Sequence, residues 1–287
     1  KAKQRQRTIL STMKANGYIN ELAAQKAGIE KLKLVGEHQH SRIGAAPYFQ
    51  DAVQNALKNS LNFDDRTISL GGLRVYTTLN LDEQEIAEKS IDKMIASDSE
   101  IQAGFVAMNP KNGHVVALVG GRNYEESPFN RAVQAVRQPG STMKPILYYA
   151  ALENGFTPSS TMKSQLTTFM FDDGRSEYTP HNFNNKYAED DITMAQALAL
   201  SDNVYAVKTH LFLGEETLVE TAKRFGIKTD MDMVPSLALG TSGVRVIDMA
   251  NAYSILANGG KKVEPVLIKK VENHKGEVIY EYKAEKE

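Results

Sequence analysis

The apolar positions of this chain change period along its length. Ile9, Leu10 and Met13, then Tyr18, Ile19 and Leu22, recur at helical spacing, and Asn16-Gly17 breaks the run, so residues 1–44 read as a helical connector. From Ala45 a second stripe follows, Tyr48, Phe49, Ala52, Val53, Ala56 and Leu57, the pattern of a core-facing helix. Residues 73–78 then read as a strand. Residues 82–95 predict a helix with Ile86, Ile91 and Ile95 inward. Residues 104–108 and 114–119 are short apolar strands around Asn109-Pro110-Lys111-Asn112-Gly113, whose turn chemistry makes a hairpin.

A loop over 122–131 leads to the next helix. Pro139 and Gly140 end what precedes it, and Ile146, Leu147, Ala150 and Ala151 mark its inward face, so it starts near Ser141. Pro145 fits only in the first turn, where a missing backbone N–H costs little. Residues 192–225 are rich in helical pattern, and 266–271 with 277–282 flank Asn273-His274-Lys275-Gly276 as a second hairpin. Strands at both ends of a helical middle predict an α+β domain with one mainly antiparallel sheet.

Composition narrows the chemistry. A length of 287 residues suits one large domain or two modest ones, and a net charge of −1 gives no reason to expect nucleic acid. With no cysteine there is no disulfide framework, thiol nucleophile or Cys-ligated zinc. No apolar run reaches the length of a membrane span and no signal peptide opens the sequence. The basic start, Lys1, Lys3, Arg5 and Arg7, reads as a solvated helix face, with an anionic lipid surface as the alternative. His38 and His40 form a local histidine pair, but nothing nearby supplies further metal ligands, so an exposed loop is the stronger reading.

Chemistry concentrates at Arg137-Gln138-Pro139-Gly140-Ser141-Thr142-Met143-Lys144-Pro145. Residues three apart on a helix share a face, which brings the Ser141 hydroxyl within reach of the Lys144 amine. A neutral amine can take the hydroxyl proton, and the helix N-terminus favours the charge that develops in acyl transfer. Ser-x-x-Lys alone is better read as a capping serine followed by a solvated lysine. A second constellation changes this. Ser201-Asp202-Asn203 interrupts the small, apolar, helix-like run at 192–200, and in an extended or looped backbone Ser201 and Asn203 point into one cleft. Ser-x-x-Lys with Ser-Asp-Asn, and a later Lys-Thr-Gly, is the joint signature of class A β-lactamases and penicillin-binding proteins.

The chain resembles the penicillin-binding proteins, and among them the bifunctional class A group. Besides the active-serine segment, the resemblance rests on Tyr178-Thr179-Pro180 with Asn182, Leu237-Ala238-Leu239-Gly240-Thr241, Met249-Ala250-Asn251-Ala252-Tyr253 and Ala257-Asn258-Gly259-Gly260, in order over 45–265. It implies an α+β fold of the penicillin-binding-protein and serine β-lactamase type, with the active site between the antiparallel sheet and a helical subdomain. Residues 1–70 are expected to be the connector that follows a glycosyltransferase domain, and 71–287 the transpeptidase domain. The acidic catalytic region of the former is absent, so glycan polymerisation is not expected of this chain. The family works outside the cytoplasmic membrane, anchored by an N-terminal helix, which implies an upstream anchor.

The same resemblance assigns roles. Ser141 would attack the penultimate D-alanine of a peptidoglycan stem peptide, with Lys144 as its base and its own backbone N–H as oxyanion donor. Ser201 would relay a proton to the leaving amine, and Asn203 would bind the substrate amide or Lys144. β-Lactams, which mimic D-Ala-D-Ala, would acylate the same serine. No cofactor or metal is implied. One departure stands out: Lys-Thr-Gly is missing. Lys208-Thr209 precedes His210, Lys228-Thr229 precedes Asp230, and Gly240-Thr241-Ser242-Gly243 lacks the lysine. The expectation is a chain that stops before that motif and acylates poorly, since losing one oxyanion donor costs about 10²- to 10³-fold. Two alternatives share the motifs. A β-lactamase needs a glutamate for deacylation, for which Glu215, Glu216 and Glu220 are the downstream candidates. A non-catalytic β-lactam sensor needs only the fold.

Overall fold

The computed structural model describes residues 2–30 and 44–283, and its contacts divide the chain at Gly44 and Ala45 into two units. In the first, α1 (Ala2–Ala15) and α2 (Glu21–Ile29) form a helical hairpin broken where Asn16-Gly17 stands, Gly17 taking a positive φ of 76°. Asn20 caps α2 by accepting from the Ala23 N–H at 2.9 Å. Across the hairpin, Lys3 Nζ donates to the Glu30 carbonyl at 2.7 Å. His38 and His40 lie outside the described residues.

The second unit opens with α3 (Pro47–Asn55), which runs into a π-helical turn at Ala56–Ser60. These elements fall before residue 71, yet Tyr48, Phe49, Val53 and Leu57 share one apolar cluster with Val115, Leu118, Ile268 and Val271, so by packing they belong to the larger unit. Next come α4 (Asp65–Leu70), β1 (Arg74–Thr77), α5 (Leu81–Met94), β2 (Phe105–Met108) and β3 (Val115–Val119). The inward face of α5 differs from expectation. Ile86 is 65% exposed, and Gln84 and Ala87 are buried instead. Gln84 holds that position because its amide accepts from the Leu118 N–H at 2.8 Å and donates to the Leu118 carbonyl at 3.0 Å, satisfying both ends of its own polarity.

The helical middle is α6 (Lys144–Glu153), α7 (Met194–Leu200), α8 (Asn203–Leu213), α9 (Glu215–Arg224) and α10 (Val246–Ala257). Between α6 and α7 stand four short strands, β4 (Thr161–Lys163), β5 (Phe169–Phe171), β6 (Ser176–Tyr178) and β7 (Asp191–Thr193). The run from 192 is thus strand for two residues before Thr193 caps α7. Helix α8 is apolar almost all round and correspondingly interior, with Val204, Tyr205, Ala206 and Val207 fully buried. It anchors a second apolar cluster that gathers Leu147, Leu218, Leu237 and Ile255.

After α10 come β8 (Ile268–Glu272) and β9 (Val278–Glu281), the expected hairpin. The antiparallel strands do not make a single sheet. Among the described residues they pair as β1-β8-β9 and as three separate two-stranded sheets, β2-β3, β4-β7 and β5-β6. Two of these are laced together by Thr78, whose buried hydroxyl lies 2.6 Å from the Val115 carbonyl and 2.8 Å from that of Val266. The α+β class stands. No helix among the described residues is long and apolar enough to cross a membrane.

Candidate active site

Ser141 lies in a 3₁₀ turn, Gly140–Met143, that passes directly into α6. The α-helix proper therefore begins at Lys144, with Pro145 in its first turn. This handover separates the two side chains by environment: Ser141 is exposed, while Lys144 is buried at 1% exposure.

The turn is held from the other end of the domain. Arg137 and Val244 exchange backbone hydrogen bonds of 3.1 and 2.8 Å, and the Gly140 N–H donates to the Gly240 carbonyl at 3.3 Å. Gly240 has a φ of 70°, and a Cβ there would stand 2.2 Å from the Gly140 carbonyl oxygen, so this close approach admits only glycine. Tyr253 Oη donates to the Thr142 carbonyl at 3.0 Å. These contacts give the Leu237–Thr241 and Met249–Tyr253 segments a physical role: both hold the serine turn.

Ser201-Asp202-Asn203 is a short turn joining two helices. Ser201 closes α7 in left-handed backbone (φ 54°, ψ 42°), Asp202 caps α8 by accepting from the Tyr205 N–H at 2.7 Å, and Asn203 opens α8. The sharp turn at Ser201 aims three oxygens at one point. Lys144 Nζ donates to the Ser201 carbonyl at 2.7 Å, to Ser201 Oγ at 2.9 Å and to Asn203 Oδ1 at 2.6 Å. Ser201 Oγ donates in turn to Ser141 Oγ at 2.9 Å. The direct Ser141–Lys144 contact expected from their spacing is replaced by one through Ser201.

Behind these groups lies a second polar layer that the motifs did not reveal. The Asp202 carboxylate, 4% exposed, accepts from Ser164 Oγ and from Asn182 Nδ2 at 2.7 Å. Asn182 Oδ1 accepts from the Asn203 N–H at 2.7 Å, and Asn203 Nδ2 donates to the His181 carbonyl at 2.7 Å. Of the partners of Asp202 and Asn203 in this layer, only Asn182 carried a signal in the sequence, through its place after Tyr178-Thr179-Pro180.

Burial lowers the Lys144 amine to about 8, with the Asp202 carboxylate pulling the other way. Lys144 also stands at the N-terminal end of α6 and faces that of α8, where aligned peptide dipoles disfavour a cation. A protonated Lys144 spends all three of its N–H donors on the oxygens above. Losing one proton frees a lone pair, and the Ser201 hydroxyl can then turn to donate to it while accepting from Ser141. That reversal would leave a hydrogen-bonded path from Ser141 through Ser201 to Lys144. The Ser141 N–H, among the first of its turn, has no acceptor within the turn and suits an oxyanion.

The other sequence candidates sit elsewhere. Glu215 and Glu216 open α9, beyond the far end of α8, which at 11 residues separates them from Asn203 by roughly 16 Å. Thr209 and His210 are buried inside α8, with Lys208 Nζ donating to the Lys163 carbonyl at 2.7 Å.

An exposed serine wired through a second serine to a buried lysine is the arrangement of a serine acyltransferase. Residues 103–287 match the penicillin binding protein transpeptidase domain, and the chain belongs to that family. It is 49% identical over 98% of its length to penicillin-binding protein 2D of Bacillus subtilis (strain 168), of which it covers 41%. It is 38% identical over 66% of its length to penicillin-binding protein 1A of Escherichia coli (strain K12), covering 22% of that protein. The chain thus spans about two fifths or less of these relatives. Among solved structures, PonA1 of Mycobacterium tuberculosis superposes with a TM-score of 0.71 at 28% identity, covering 81% of this chain and 62% of PonA1. A second PonA1 structure holds penicillin V, with the same TM-score, 27% identity, and coverage of 81% of this chain and 64% of that one.

Proposed function

We propose that the chain carries the acyl-transfer centre of a peptidoglycan D,D-transpeptidase and is acylated by β-lactams at Ser141. The observation that carries this reading is the hydrogen-bonded path from Lys144 Nζ through Ser201 Oγ to Ser141 Oγ, with 2.9 Å at each step. Ser141 Oγ attacks the carbonyl carbon of the penultimate D-alanine, and its proton passes through Ser201 to Lys144. The tetrahedral intermediate places its oxyanion at the Ser141 N–H. Collapse breaks the C–N bond, and Lys144 returns the proton through Ser201 to the departing D-alanine amine. The amine of a neighbouring stem peptide then attacks the acyl carbon and gives up a proton through Ser201 to Lys144, and as the ester C–O bond breaks the same path returns a proton to Ser141 Oγ. Asn203 orients Lys144 through its Oδ1.

In the whole protein this centre would work on the outer face of the cytoplasmic membrane, with residues 1–44 connecting it to a preceding domain. The test is mass spectrometry of the chain after incubation with a labelled penicillin. A single, slowly formed adduct on the peptide holding Ser141, lost in Ser141→Ala, is expected. An adduct on another residue, or none, overturns the reading.

A further inference from the structure

One buried side chain of the helical middle is only half satisfied. His210 is fully buried in α8, with its Nε2 3.2 Å from the Val234 carbonyl. A carbonyl can only accept, so Nε2 carries a proton. Nδ1 is shut off from solvent and meets no hydrogen-bond partner among the described residues. A second proton there would be a buried N–H without an acceptor, on a charged ring in apolar surroundings, so the fold holds the ring neutral. No nearby charge changes this. Burial lowers the proton affinity of His210 and the Val234 carbonyl pulls the other way. Among the described residues, no charged group acts on the ring from α6 (Lys144, Glu153), β4 (Lys163), α8 and its cap (Asp202, Lys208), α9 (Glu215, Glu216, Glu220, Lys223, Arg224) or the stretch before Val234 (Lys228, Asp230, Asp232).

The Val234 carbonyl stands at the head of a 3₁₀ segment, Pro235–Leu239, against which α8 packs. It accepts from the Leu237 N–H at 3.0 Å as well as from His210. The Leu237 carbonyl in turn accepts from the Gly240 N–H at 2.9 Å, and Gly240 closes the segment and holds the Gly140 N–H of the serine turn. Leu237 and Ala238, between these ends, are fully buried, and close-packed residues pass a displacement on instead of absorbing it. His210 thus pins one end of a segment whose other end fixes the residue before Ser141.

We propose that His210 is a positioning residue for the nucleophile: its neutral ring pins the Val234 end of this segment, and protonation of the ring withdraws the pin and loosens the turn that presents Ser141. The assignment rests on the acyl-transfer reading above and adds to it a titrating group remote from the reacting atoms. In acid, Lys144 stops acylation because the base is occupied, whereas His210 stops it because the nucleophile is no longer held. The two protonations multiply. Below the His210 midpoint, which burial places under the ordinary histidine value of about 6.5, the parent rate should fall about a hundredfold per pH unit, against tenfold per unit above it. The unfolded chain takes up this proton from about 6.5 downward while the folded chain resists it, so the contribution of His210 to stability is complete above that value and is lost as pH falls toward the folded midpoint.

The experiment measures second-order acylation of Ser141 by labelled benzylpenicillin from about pH 5 to 9 in three proteins. They are the parent, His210→Gln, whose amide nitrogen can donate to Val234 but does not titrate, and His210→Leu, which fills the space without a donor. At about pH 8, His210→Gln should match the parent and His210→Leu should acylate about fivefold more slowly, the worth of one hydrogen bond. The Lys144 limb is common to all three and cancels in a ratio. The ratio of either variant to the parent should be flat above about 6.5 and climb toward tenfold per pH unit as His210 protonates, while circular dichroism in the same buffers shows the parent still helical. A ratio that stays flat throughout overturns the assignment and leaves the acyl-transfer reading intact. So does parental acylation by His210→Leu, or a fall in parent acylation that coincides with loss of the helical signal. Absence of any Ser141 adduct in the parent at every pH overturns the acyl-transfer reading and the assignment with it.

Discussion

The Ser141 and Ser201 hydroxyls lie 2.9 Å apart, and it is Ser201, not Lys144, that touches the candidate nucleophile. Both Ser201→Ala and Lys144→Ala should therefore impair activation of Ser141, but unequally. Without Lys144 no base remains, and acylation should fall below detection. Without the Ser201 hydroxyl a water can bridge the gap, leaving a rate reduced roughly 10²-fold, at the low end of general acid–base contributions. Labelled-penicillin kinetics on the two variants check this, and near-parental acylation by Lys144→Ala would assign the base to another group.

Lys144 sets the expected pH profile. Its amine is lowered by burial to about 8, so acylation should rise about tenfold per pH unit below that value and level off above it. Stability carries the same signature. Between about 8 and 10.5 the unfolded chain holds a proton on this lysine that the folded chain lacks, so the free energy of unfolding rises with pH across that window. Below it the burial cost is present in full. In Lys144→Met the rise should disappear, and denaturant titrations of both proteins from pH 7 to 11 measure the difference.

Asp202 touches neither Ser141 nor the Lys144 amine by hydrogen bond, yet it caps α8 and supports the protonated form of Lys144. An asparagine there keeps the shape but offers one acceptor oxygen in place of two, to donors from Tyr205, Ser164 and Asn182. Asp202→Asn should destabilise the protein by roughly 1–3 kcal/mol and shift the acylation midpoint to lower pH. A midpoint that stays fixed or rises would remove Asp202 from the electrostatics of Lys144.

Gly240→Ala tests the support beneath the nucleophile. The substitution forces an L side chain into a φ of 70° and against the Gly140 backbone at 2.2 Å. The left-handed backbone alone should cost roughly 1–3 kcal/mol, and displacement of the Gly140–Met143 turn should slow acylation further. Urea titration and acylation rate together check it. Full activity at reduced stability would show that the turn holds its place without Gly240.

Much of this arrangement was legible in local sequence, and the remainder was not, for identifiable reasons. Pro139-Gly140 and the period of Ile146, Leu147, Ala150 and Ala151 announce a helix opening, which is a property of adjacent residues. That Ser201 bridges Ser141 and Lys144 depends on left-handed backbone at a serine, which no residue preference forecasts. The Asp202 layer joins Ser164, Asn182 and Asn203 across up to 39 positions, contacts invisible to any local window. Gln84 in the place expected of Ile86 makes the same point for the fold. Polar residues turn inward where they complete a neighbour's hydrogen bonds, and an apolar period cannot see that.

The pairing of Arg137 with Val244 also bears on how the molecule comes into being. The two residues are about 100 positions apart, and the loop between them encloses α6, α7, α8 and α9. Closing a segment of that length is entropically unfavourable until the helices within it have packed, so contacts of such sequence separation tend to form late. A chain caught partway through folding would hold helices without a positioned serine turn. Reactivity toward a penicillin would then count only molecules that have finished folding, which makes the labelling reagent a clock for the last step of assembly.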